Sequence, residues 1–436
     1  MSCRPGAWRA LALAALCGCS GTTGTVTLAL ATAPDSHVLD AVETLRLTVT
    51  DPRRVIEAAR TPTGFDLALD LEASGTTGAV IVEGLDAGGK LIACGQSPPF
   101  PVAAITAHIV VYMAAPLSVA LAPIGLGAPR SEVTGSALDY GAVLAGGRDA
   151  GGAPSSTIGI YNAYDHSYIE GAPLPAARAG VAVGTGNGGA VYLFGGTGPD
   201  GNPTGTLWRF DTNRAPLGGF TTLDDRAELA RTGQLMVTLV PELYLITGAP
   251  PVQLRLGTLT ARSDAAMLPD TGAAGGRETD GSPTAVFAGT ELVRYRDNTF
   301  DVLGGASRAG ATAATLPGGK IVVLGGGSPP SHDALVIDPI TGEVATVGNV
   351  LATPRVRPSI AATARYVVVA GGTDPTGAPV ATAEVLDATT LVPVATPVIL
   401  ARTGAFAIAL PNGQVLLAGG TPASGELELF TPDPPR

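Results

Sequence analysis

The sequence predicts an all-β protein in which a small N-terminal β-sandwich precedes a seven-bladed β-propeller. Three observations carry this expectation. The 436-residue chain holds 59 Gly and 36 Pro with a charged fraction of only 14%, a composition of short strands and many turns. Hydrophobic residues make up 45%, and they gather as short runs of Ala, Val and Leu rather than heptads, which argues against helical bundles. Over the last three quarters of the chain one apolar motif ending in a diglycine recurs about seven times, as expected where each repeat is a four-stranded blade.

Residues 1–18 read as an export signal. Arg4 and Arg9 supply a positive start, residues 10–16 are apolar, and Leu16-Cys17-Gly18-Cys19 follows. That tetrapeptide resembles a bacterial lipobox, which implies that Cys19 carries a diacylglyceryl group and becomes the mature N-terminus. The alternative is an ordinary signal peptide with an incidental cysteine. Cys17 is the weaker acceptor, because the large Leu16 precedes it. Ser20 in place of Asp after the acceptor favours the outer membrane, by analogy with Gram-negative lipoproteins. After processing only Cys19 and Cys94 remain, so no intramolecular disulfide is expected, and Cys94 is read as a small apolar residue at a strand end. No other apolar stretch reaches the ~18 residues of a membrane span, so the membrane is a partner through lipid alone.

Residues 19–24 are a tether, and residues 25–116 the sandwich. Alternating segments at 25–31, 44–50, 65–71, 79–83, 90–94 and 107–113 are separated by Gly, Pro, Asp and Ser, which is the spacing of short antiparallel strands. The pattern is similar to fibronectin and immunoglobulin domains, without the cysteine pair of antibodies. Residues 55–60 read equally as a helical turn or a further strand.

Residues 117–436 carry the repeats. Diglycines stand at Gly146-Gly147, Gly195-Gly196, Gly275-Gly276, Gly325-Gly326, Gly371-Gly372 and Gly419-Gly420, with a worn copy at Thr247-Gly248. Five of the six gaps fit one blade each; the gap between Gly248 and Gly276 is short by about one strand. An arginine precedes each second glycine by 14 to 18 residues: Arg130, Arg178, Arg231, Arg262, Arg308, Arg355 and Arg402. Residues 191–196 followed by Leu207-Trp208-Arg209-Phe210-Asp211, and residues 321–326 followed by Leu335-Val336-Ile337-Asp338, are the best copies. In these marks the chain resembles the Kelch repeat family, although it lacks that family's usual fourth-strand Trp. The diglycine suits a strand that must turn sharply where a Cβ would clash. The last unit has room for a third strand at 426–430 but none for a fourth, and residues 117–122 are expected to complete it, with the boundary between the two parts near Pro116.

The net charge of −11 argues against a nucleic-acid partner, which clustered cations would have to hold. Four histidines are scattered along the chain, and no HxH, HxxxH or CxxC spacing points to a metal; all four read as lone surface residues. The family it resembles includes copper enzymes of the galactose-oxidase kind, whose centre needs a thioether-forming cysteine, and no cysteine follows Cys94. Neither a G-x-S-x-G elbow nor a phosphate loop is present, so no cofactor and no catalytic set is expected. Two readings of the repeated arginines stand open: anion or ligand contacts at the channel mouth, or guanidinium groups bonding carbonyls and acids at the junctions between blades. Loops at 148–155, 197–205, 277–283, 327–333 and 373–379 are expected on one face, where recognition by loops on a rigid scaffold resides. The function expected is therefore a non-catalytic, envelope-anchored binding scaffold for a protein or carbohydrate ligand, with a carbohydrate-processing enzyme using the channel as the alternative.

Overall fold

The computed structural model describes residues 23–62, 64–65, 68–72, 76–101, 106–233, 235–265, 267–269, 271–278, 280–305 and 307–435. The expected export signal, Cys19 and most of the expected tether lie outside the described residues. Strand signals near the N-terminus translate directly into strands: β1 (Thr23–Ala31), β2 (Thr44–Thr50), β3 (Arg53–Ala59), β4 (Ala68–Glu72), β5 (Thr77–Gly78), β6 (Val80–Leu85), β7 (Leu91–Gln96), β8 (Phe100–Pro101) and β9 (Thr106–Tyr112). They form a three-stranded sheet in the order β4-β1-β9, with β1 and β9 parallel, a four-stranded sheet in the order β3-β2-β6-β7, and a short antiparallel pair of β5 with β8. In β2 the alternation is complete, since Leu45, Leu47 and Val49 are buried and the residues between them are not. Leu28, Ile109 and Val111 of the first sheet share one core with Leu45, Leu47, Val80 and Val82 of the second. The ambiguous residues 55–60 fall largely in β3, an edge strand paired with β2 from Thr50↔Arg53 to Thr44↔Ala59. Tertiary pairing decides this segment, because Ile56 and Ala58 gain the core of the second sheet.

Among the described residues, seven four-stranded antiparallel sheets follow. Their leading strands are Thr134–Leu138 (sheet I), Ala182–Thr185 (II), Met236–Val240 (III), Ala273–Arg277 (IV), Ala311–Thr315 (V), Ser359–Ala362 (VI) and Phe406–Ala409 (VII). Each leading strand touches that of the next sheet, and sheet VII's touches sheet I's. The second strands explain the continuous apolar runs. In Gly141–Ala145, Ala142 and Leu144 pack with Leu416, Leu427 and Leu429 of sheet VII. Val143 and Ala145 pack with Val191, Leu193 and Trp208 of sheet II. A strand covered on both faces has no reason to alternate.

Sheet VII is completed from the other end of the repeat region. Strand β10 (Ser118–Leu121) pairs antiparallel with Glu428–Thr431, in the register Ser118↔Thr431, Val119↔Phe430, Ala120↔Leu429 and Leu121↔Glu428. This is the clasp expected from the missing fourth strand. The chain before it is not loosely tethered, because Tyr112 and Ala114 lie in the core formed by sheets I and VII. The Tyr112 hydroxyl donates to Leu121 O at 2.7 Å, Val110 N donates to Tyr164 O at 2.8 Å, and the Tyr164 hydroxyl donates to Pro99 O at 2.6 Å.

One repeat mark has the spelling of a second-strand ending but lies in another strand. Gly275-Gly276 lies within the leading strand of sheet IV, whereas the second strand is Pro283–Ala288 and ends at the single Gly289. Both members of the other full diglycines have positive φ, as at Gly146 (61°) and Gly147 (103°), but Gly275 and Gly276 do not. The positive φ marks a close approach: a Cβ on Gly146 would stand 2.4 Å from Arg178 O. Sheet III is consequently not short, since it holds Met236–Val240, Leu243–Ile246, Val252–Arg255 and Thr258–Ala261. Arg277 ends the first strand and Pro283 opens the second, so both sit at the opposite end of their sheet from the loops that follow the other diglycines.

Candidate functional site

The repeated arginines bridge neighbouring sheets. Their backbone carbonyls accept from the second glycine of the preceding sheet: Gly147 N to Arg178 O at 2.9 Å, Gly196 N to Arg231 O at 3.0 Å, Gly326 N to Arg355 O at 2.9 Å and Gly372 N to Arg402 O at 3.3 Å. Their guanidinium groups turn back to their own sheet. Nη1 donates to Gly146 O from Arg130 (2.8 Å), to Thr247 O from Arg231 (3.1 Å), to Gly371 O from Arg355 (3.1 Å) and to Gly419 O from Arg402 (2.8 Å). Arg130 reaches the Tyr168 hydroxyl, Arg355 pairs with Glu384 at 2.5 Å, and Arg402 pairs with Glu428. Arg178 lies over the Trp208 ring, 4.9 Å from its centroid. Arg308 is buried with Nε and Nη1 unpartnered. Burial pulls the guanidinium pKa of Arg178, Arg231, Arg308 and Arg355 below the ordinary value.

Arg262 is not equivalent to the others. It follows the last strand of sheet III and spends its guanidinium on Asp264, Gln253 and Asn298. The arginine's place is taken by the buried Leu268, whose carbonyl accepts from Gly248 N at 2.9 Å. The constant offset that linked Arg262 to Gly276 is a coincidence of two displaced marks.

The histidines divide. His37 is exposed beside Asp40, and His332 Nδ1 donates to Leu351 O at 2.7 Å. His166, read from sequence as a surface residue, is buried at 3% exposure between Tyr112 and Tyr161, and its Nδ1 shares a 2.7 Å hydrogen bond with the Tyr161 hydroxyl. Its Nε2 has no partner. Desolvation lowers its pKa to about 4, against a smaller opposing effect of Asp165. A folded value below the unfolded one means that stability is complete above about pH 6.5 and is lost as the pH falls towards 4. We expect about 2 kcal/mol of loss by pH 5 from this group. Urea unfolding at pH 7 and pH 5 checks it: the difference between the two should shrink by that amount in His166→Gln, and an unchanged difference would refute the assignment. Cys94 is buried, its thiol donating to Pro432 O at 3.2 Å, and burial pushes its pKa up to about 12.

The leading strands enclose two cavities in succession. The first, about 360 Å³, is lined by Val183, Leu235, Met236, Val237 and Phe406 together with small residues of sheets I and IV. Further along the same strands a second, about 340 Å³, is lined by Leu138, Asp139, Asn187, Gly188, Pro241 and Arg277. Thr238 belongs to both. None of the seven repeated arginines lines either cavity. The cation at this opening is Arg277, which the diglycine pattern assigns to a loop on the other face. A signal existed: residues 271–274 before its diglycine are Thr-Gly-Ala-Ala, whereas true copies follow branched or aromatic runs such as residues 321–324 or 366–369.

Loops after the second strands are braced by aspartates. Asp149 Oδ1 accepts from Gly151 N and Ala153 N, both at 2.9 Å. Asp374 Oδ1 accepts from Thr376 N at 2.8 Å, Ala378 N at 3.0 Å and the Thr376 hydroxyl at 2.6 Å, and these bonds, the hydroxyl's foremost, hold its carboxyl below the usual pKa. Such Asx turns fix the loop backbone without a partner. Among the described residues no group of three or more His, Cys, Asp or Glu is placed to hold a metal ion. Compared with known proteins, the chain matches no family model and no curated protein.

Proposed function

We propose that the chain is a lipid-anchored, non-catalytic protein of the cell envelope that presents a binding face rather than a reaction centre, in which the seven sheets are the blades of a Kelch-type β-propeller. The N-terminal pair of sheets at residues 25–116 is an immunoglobulin- or fibronectin-like sandwich that seats the propeller on its tether, and Cys19 carries the lipid. The partner is a protein or a carbohydrate. The observation that carries this reading is the set of loops after the second strands of sheets I, II, V and VI, which differ in sequence while Asp149 and Asp374 hold two of them in preformed turns. A rigid support with variable, preformed loops loses little conformational freedom on binding. A sugar-processing enzyme would need two facing carboxylates; the second cavity brings Asp139 to its wall.

Two experiments test the proposal. Cys19→Ser should release the protein from membranes, and retention with no accumulation of unmodified precursor would refute the anchor. Glycan arrays and envelope-protein pulldowns with the purified chain should yield a ligand whose binding falls at least tenfold when residues 149–153 and 374–378 are replaced by Gly-Ser segments. Unchanged binding would remove these loops from the interface.

A further inference from the structure

We propose that the space enclosed by the leading strands binds a small amphipathic carboxylate, with its apolar chain in the first cavity and its carboxylate on Arg277. The two cavities are consecutive stretches of one channel, because the same four strands line both: Thr134–Leu138, Ala182–Thr185, Met236–Val240 and Ala273–Arg277 contribute their earlier residues to the first and their later ones to the second. Each volume lies within the roughly 300–1,000 Å³ of small-molecule sites. The chemistry changes along the channel. Leu235, Met236, Val237 and Phe406 offer an apolar wall that favours a hydrocarbon chain over water. Glycines make room for the large side chains of this wall: a Cβ at Gly135 would stand 2.9 Å from the Phe406 ring, and one at Gly184 would stand 2.5 Å from Met236 Sδ.

At the other end Arg277 is exposed and makes no ion pair among the described residues. Its neighbour Glu278 is engaged by Arg296 at 2.5 Å, so the Arg277 charge is left for a ligand. Asp139, in the turn between the first two strands of sheet I, lines the same cavity. A carboxylate is drawn to Arg277 and held away from Asp139, which orients the bound molecule. This site is separate from the loop face proposed above, so either can fail alone.

Calorimetric titration of the purified chain with sodium octanoate, sodium butyrate and 1-octanol tests the inference. Octanoate should bind one to one, and butyrate, four methylenes shorter, should bind more than tenfold weaker. Arg277→Gln should weaken octanoate about tenfold and leave 1-octanol unchanged. Asp139→Asn should tighten octanoate about twofold. Thr238→Phe, which places a ring where the cavities meet, should abolish binding of both eight-carbon probes. The proposal is overturned if octanoate gives no saturable heat, if octanoate and butyrate bind alike, or if Arg277→Gln changes nothing. Should Thr238→Phe fail to fold, the chain-length series and Arg277→Gln decide the matter without it.

Discussion

Replacing Glu384 by alanine is expected to destabilise the chain by roughly 3–5 kcal/mol, the cost of leaving a buried charge without its partner. Arg355 and Glu384 are 0% and 2% exposed and stand 2.5 Å apart. Glu384 also accepts from Ala352 N at 2.7 Å and Thr353 N at 3.1 Å, so its loss leaves those donors unbonded as well. Glu384→Gln keeps an acceptor but not the charge, and should fall between wild type and alanine. The contrast is Asp264→Ala. Asp264 is 47% exposed in its pair with Arg262, and a pair so open to solvent contributes about 1 kcal/mol or less. Urea unfolding of the three variants measures the order; equal losses for Glu384→Ala and Asp264→Ala would show that the junction arginines are not structural.

Deleting Ser118–Leu121 should cost roughly 3–6 kcal/mol and make the chain aggregate. The strand contributes ladder bonds at about 1 kcal/mol each and lays Val119 against the Phe430 cluster, where a buried aliphatic side chain adds about 1.5–3 kcal/mol. Its removal also leaves Glu428–Thr431 as an open edge. Truncation before Ala115, which a boundary near Pro116 would make harmless to the repeat region, is expected to be costly too, because it strips Tyr112 from His166 and from Leu121 O. Thermal unfolding with light scattering separates the two: both should lower the midpoint, and the strand deletion alone should scatter. A deletion that melts like the full chain would show that β10 is not the clasp.

What the sequence determined by itself were the features encoded within a few residues. Alternation in residues 44–50 specifies β2, and the aliphatic runs before the positive-φ glycines specify the second strands. Residues 117–122, expected to complete the last unit, hold β10. Arginines at 130, 178, 231, 355 and 402 showed the repeat, though not that their guanidinium groups turn inward to carbonyls and acids. Sheet IV could be phased only by its pairing, since Gly275-Gly276 has the spelling of a turn and the backbone of a leading strand. His166 looks like any turn histidine until Tyr112, from a strand more than fifty residues earlier, covers it. Arg277 became a cavity residue only when strands from four sheets were set side by side. The division has one physical cause: backbone conformation is chosen largely by neighbours in sequence, whereas burial and electrostatic environment are created by surfaces that meet only when distant strands close on one another.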